Sequence, residues 1–178
     1  MQQEGTANFC AVIETLPFST STVMCFSDDT TPPIITSSLA LTSLSPPNSK
    51  LVNVGLSASA NEPATFSVSV FGDEDDQTPT SPGVVHLPDA KDIVVRTLRL
   101  RSERTDAGDG RVYLVVLTAT DTAGNASKAC HTVVVARKKK GDVDAQAAAA
   151  KAFCEANNGA GPAGYFVIGD GPIIGPKQ

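Results

Sequence analysis

The chain has 178 residues, 41% of them hydrophobic and 19% charged, with a net charge of −5. That length fits one domain with extensions or two small ones. The acidic balance does not suit a phosphate backbone, and with aromatics at only 5% and no Trp there is little material for a stacking platform, so no nucleic-acid partner is expected. No run approaches the ~20 apolar residues of a membrane span, and Met1 to Phe18 lacks the basic start and long apolar run of a signal peptide.

Residues 1–29 hold two short apolar runs, Phe9 to Ile13 and Val23 to Phe26, on either side of Pro17 to Thr22. This pattern predicts a β-hairpin. Cys10 and Cys25 then face each other near its open end, and a Cys10–Cys25 disulfide is the simplest pairing. The chain has four cysteines, Cys10, Cys25, Cys130 and Cys154, and no C-x-x-C pair. Disulfides and buried thiols both fit this spacing. A zinc site does not, since Cys130 has only His131 beside it.

Residues 30–136 are expected to be strand-rich. Two prolines in Asp28-Asp29-Thr30-Thr31-Pro32-Pro33 extend the chain as a linker, and Ile34-Ile35 opens a strand. Pro46-Pro47-Asn48 is a turn. From Leu51, the residues Val52, Val54, Leu56 and Ala58 alternate with Asn53, Ser57 and Ser59, the period of a half-buried strand. Phe66, Val68 and Val70 repeat the pattern. Leu98 and Leu100 alternate with Arg99 and Arg101. Arg111 to Thr120 is apolar on both faces at first, as a central strand would be, and Thr132 to Val135 forms a last strand. Six or more strands with frequent turns predict a mostly β fold, an antiparallel β-sandwich.

Residues 137–178 change character. Arg137 to Lys140 is a basic run, read as a solvated hinge. Asp142 to Asn157 is Ala-rich and predicts a helix ending at Gly159. Its residues Val143, Ala147, Ala150 and Cys154 fall on one stripe that can lie against a surface. Cys154 on that stripe and Cys130 at the last strand suggest a Cys130–Cys154 disulfide. Tyr165, Phe166, Val167 and Ile168, then Ile173 and Ile174, make two short strands about Gly169-Asp170-Gly171-Pro172. This apolar β-tail is the expected assembly segment.

A resemblance sharpens this reading. Gly110-Arg111-Val112-Tyr113, with Val115, Leu117 and Ala119 alternating and Asp121-Thr122-Ala123-Gly124-Asn125 behind them, resembles the F strand and F–G turn of bacterial Ig-like, fibronectin-type and cadherin-like extracellular repeats. Asp29-Thr30-Thr31-Pro32-Pro33-Ile34 resembles the start of such repeats. Leu44 to Val52 is similar to their Trp-Pro-Pro-Asn-His-Lys-Leu-Val element, with Ser45 and Ser49 in place of its Trp and His. Leu100-Arg101-Ser102-Glu103-Arg104 parallels their Leu-Arg-Ala-Glu-Arg element. The likeness covers residues 29–136. It implies an Ig-like sandwich with Tyr113 as a tyrosine corner, its ring in the core and its hydroxyl on nearby backbone. It also implies a secreted or cell-surface place and a structural or adhesive task. The tail from Ala147 to Gln178 resembles one that follows this module in bacterial proteins and carries no known activity.

The sharpest local chemistry is acidic. Asp73, Glu74, Asp75 and Asp76 are consecutive, Asp89 and Asp92 follow, and Asp106 and Asp109 flank Gly108. Loop-borne carboxylates suit Ca²⁺, which takes six to eight oxygens in irregular geometry, although no EF-hand register is present. The plain alternative is a solvated acidic loop. Asp28 and Asp29 stand where cadherin-like repeats bind linker calcium, with Asp121 placed at the opposite turn; ordinary turn roles are the alternative. Asn125-Ala126-Ser127 matches a glycosylation pattern, with a bare turn as its alternative. His86 and His131 are the only histidines, and no nucleophile elbow accompanies them. Enzymatic activity is therefore not expected. Two functions follow: an extracellular structural or adhesive subunit that self-associates by β-strand addition, or a monomeric binding module for a protein or glycan at the cell surface.

Overall fold

The computed structural model describes residues 8–15, 20–75, 77, 79, 84–106, 108–136 and 143–171. Asp76, the Arg137 to Lys140 run, Ile173 and Ile174 lie outside them. The described chain is mostly β, with antiparallel sheets and a helix. β1 (Asn8–Thr15) and β2 (Thr20–Ser27) form the N-terminal hairpin, in a register that sets Cys10 opposite Cys25.

β3 (Ile35–Ser38) pairs with β5 (Ser57–Ala60), and β4 (Leu51–Asn53) pairs with β8 (Arg99–Arg101), which also holds β7 (Ala90–Lys91). The run from Leu51 to Ala58 is therefore two strands in two sheets, not one. Gly55 makes the break. Its φ of +65° is left-handed, and a Cβ there would stand 2.6 Å from the Cβ of Ala40. Only glycine combines that backbone with that approach. Side-chain alternation continues across the break, which is why the sequence conceals it.

The largest sheet is four-stranded. β9 (Gly110–Asp121) is flanked by β10 (Ala126–Ala136) and β6 (Ala64–Gly72), and β6 carries β11 (Phe166–Ile168) on its far side. β9 is buried almost throughout because both faces of this sheet are covered. On one face Tyr113, Val115, Val133, Val135, Val70 and Ile168 meet Leu44, Val54, Leu56, Leu98 and Leu100 in the main core. On the other, Val112, Leu114, Val116 and Val134 meet the helix α1 (Val143–Ala156). The buried residues of α1 are Val143, Ala147, Ala150 and Cys154, the stripe that the 3.6-residue period selects. The Gly159 amide bonds back to the Cys154 carbonyl at 2.8 Å and ends the helix.

Candidate functional site

The two elements around Pro46 and Arg101 interlock. The amides of Asn48 and Ser49 both donate to the Ser102 carbonyl at 2.9 Å, and Ser102 Oγ donates to the Pro46 carbonyl at 2.9 Å. Arg101 is fully buried. Its guanidinium donates to the carbonyls of Pro88 (2.8 Å) and Ser49 (2.6 Å). The alternation with Leu98 and Leu100 suggests a solvent-facing Arg101, and this is where the pattern misleads: Arg99 is half-exposed, whereas Arg101 turns inward to cap carbonyls from two distant loops.

Around Arg101 lies a buried charge network. Asp89 Oδ1 is 3.3 Å from Arg101 Nε, and Asp89 Oδ2 accepts from Arg111 Nη1 at 2.5 Å. Arg111 Nε donates to Glu74 at 2.9 Å. The Tyr113 hydroxyl accepts from Arg111 at 3.0 Å and donates to the Arg101 carbonyl at 2.9 Å. The Tyr113 ring is buried in the core. His86 Nδ1 sits 2.6 Å from Glu103 Oε2, both side chains buried. Burial pushes the Asp89 carboxyl up to about 7 despite the guanidinium of Arg111. Sequence reading missed this network because its members come from separate loops and strands.

The network absorbs much of the acidic set expected to hold calcium. Glu74 accepts from the Thr105 amide and hydroxyl as well as from Arg111. Asp89 is held by two arginines, and Asp92 pairs with Arg99 at 2.6 Å. Asp73 accepts the Val112 amide at 2.8 Å, and Asp75 accepts the Gln77 amide at 3.1 Å. Asp109 takes the side-chain amide of Gln146 on α1, and Asp106 is exposed near Arg104. Among the described residues these acids have separate partners, and no three of them bring carboxylate oxygens together.

A different trio does converge. Asp29, Glu62 and Asp121 each bring a carboxylate oxygen within 4.8 Å of the others. The pairing of Ala64 with Asp121 explains it, since it sets the turn before β6 beside the end of β9. Asp29 thus lies at the same end as Asp121, not opposite to it, and the Asn125 side chain bridges Asp121 Oδ2 (2.9 Å) and the Asp29 carbonyl (2.8 Å). Burial opposes the charge of Asp121, but donors from Asn125, Gly124 and Ala123 outweigh it and hold its carboxyl below the usual range. That amide of Asn125, within the glycosylation pattern, is engaged in the turn.

Cys130 and Cys154 form a disulfide that ties β10 to α1, with Cα atoms 6.2 Å apart. His131, next in the strand, turns to the opposite face, where Nε2 meets Ser37 Oγ at 2.8 Å and joins β10 to β3.

The expected assembly segment is part of the chain's own sheet. Phe166, Val167 and Ile168 pair with Gly72, Phe71 and Val70, and Ile168 enters the core. Tyr165 packs under α1. Phe166 and Val167 remain 45% and 73% exposed. Among the described residues no strand flanks β11 on its outer side, whereas the opposite edge strand, β10, is bridged at Val134 by Ser43. No helix among the described residues is long and apolar enough to cross a membrane.

No protein-family model, no curated protein and no solved structure matches the chain.

Proposed function

We propose that the chain is an extracellular structural or adhesive protein, an Ig-like β-sandwich module that self-associates by strand addition. The observation that carries this reading is the β11 edge: a short strand at the end of the main sheet, with no strand beyond it among the described residues and with Phe166 and Val167 facing out. An unprotected edge offers unpaired amides and carbonyls to another chain. The partner is a second copy that adds to this edge, with the Tyr165 to Ile168 segment retained in its own sheet. The disulfide supports an oxidising compartment. The interlocked Pro46 and Arg101 elements support the sandwich, because they lock loops to the small sheets as a spacer module needs. Calcium belongs to this reading at the Asp29, Glu62 and Asp121 end.

Light scattering and electron microscopy of the purified chain test the proposal. Concentration-dependent growth into oligomers or filaments supports it. A monomer at every concentration overturns it and favours a binding module that meets a protein or glycan through its loops.

A further inference from the structure

A groove of about 360 Å³ runs between α1 and the segment leading into β11. Its walls are mostly apolar: Ala149, Ala150 and Phe153 from the helix, Pro162 and Tyr165 from the segment, with Gln146, whose side-chain amide is held by Asp109, at one side. Asp73 brings a carboxylate to it. One oxygen of Asp73 accepts the Val112 amide at 2.8 Å. Among the described residues its other oxygen has no hydrogen-bond partner, and neither has the Tyr165 hydroxyl. Phe153 stays 41% exposed above the groove.

The walls are fixed before anything binds. The Cys130–Cys154 disulfide clamps the helix to the sheet. Gly161 lies so close to the Phe71 ring that a Cβ would stand 2.9 Å from it. A mostly apolar cleft with a few placed polar groups is the usual form of a small-molecule site, and about 300 Å³ is its usual lower bound.

We propose that this groove binds a small amphipathic amine, with its ammonium on Asp73 and its apolar body between Phe153, Pro162 and Tyr165. The charge decides the class. A carboxylate against apolar walls favours a cation over an anion or a neutral body, and the Tyr165 ring and hydroxyl add a second attraction for an ammonium group. Asp73 titrates in a useful range as well: burial pushes its carboxyl up to about 6, with the carboxylates of Glu74 and Asp109 adding to the rise and the Val112 amide and the Arg111 guanidinium opposing it. The carboxylate is therefore mostly charged at neutral pH and lost below it. The groove does not depend on self-association.

The test is NMR titration of the full chain with phenethylamine, phenethyl alcohol and phenylacetate, which share one body and differ in charge. Saturable phenethylamine shifts at Phe153 and Tyr165 are expected at neutral pH. Affinity for the alcohol and the acid should be lower by about tenfold or more, and Asp73→Asn should cost as much. In the unmodified chain, which needs no variant to fold, amine affinity should fall as pH drops through about 6. No saturable binding of the amine overturns the proposal. So does equal binding of the three compounds, or amine affinity that neither Asp73→Asn nor acid weakens.

Discussion

The Arg111 guanidinium meets the Asp89 carboxylate at 2.5 Å, with each side chain only 1% exposed. Neither charge has water to fall back on. Arg111→Met should leave Asp89 with Arg101 alone and loosen Glu74, at a cost of about 3–5 kcal/mol. Combining it with Asp89→Leu should cost clearly less than the sum of the two single changes, because each single change already breaks the contact between the two groups. Urea unfolding of the two single variants and the double variant measures this. Additive losses would mean that the pair is not coupled.

Asp73 and Asp89 set a pH dependence of unusual sign. Their carboxyls are raised from 3.8 to about 6 and about 7. Between about pH 4 and 7 the folded chain therefore holds more protons than the unfolded chain, and their contribution to stability falls as pH rises. Burial and Lys151 hold His131 below its usual range, which tilts the slope the other way. The readout is thus the difference between chains. Asp73→Asn keeps an acceptor for the Val112 amide, and should gain stability relative to the unmodified chain as pH rises from 5 to 7.5. With solvent screening at this partly exposed site, the gain is of order 1 kcal/mol.

The Cys130–Cys154 bridge spans 24 residues of sequence. A loop of that length contributes about 3 kcal/mol by restricting the unfolded chain. Replacing both cysteines by Ala should lower stability by about that amount. Hydrogen exchange should then show α1 losing protection while β9 keeps it. Equal loss in both elements would show that the helix does not open separately.

Any rise in melting temperature on adding calcium should come from the Asp29, Glu62 and Asp121 group. Glu62→Gln should remove the rise, and Asp92→Asn, whose carboxylate serves Arg99, should leave it. The opposite outcome would return calcium to the acidic loops.

These sites differ in how far the sequence reveals them. The helix stripe and the central position of β9 are legible because burial on one face or two leaves a direct periodic trace. The register of Cys10 and Cys25 follows from hairpin symmetry. Arg101 is not legible: an arginine that continues the alternation with Leu98 and Leu100 reads as surface, and the Pro88 and Ser49 carbonyls that receive it come from remote turns. The Asp29, Glu62 and Asp121 group needs the pairing of β6 with β9. The tail's place beside β6 was hidden for the same reason, since three apolar residues do not state which edge they complete.

Strand addition at β11 is tested most directly by sedimentation velocity of the unmodified chain and Val167→Lys across a wide concentration range. A lysine at this 73% exposed position keeps the strand but places a charge on its edge. The account predicts that the unmodified chain forms larger species as concentration rises, while Val167→Lys stays monomeric with unchanged circular dichroism and melting. A monomeric unmodified chain, or a Val167→Lys chain that assembles equally well, would contradict it.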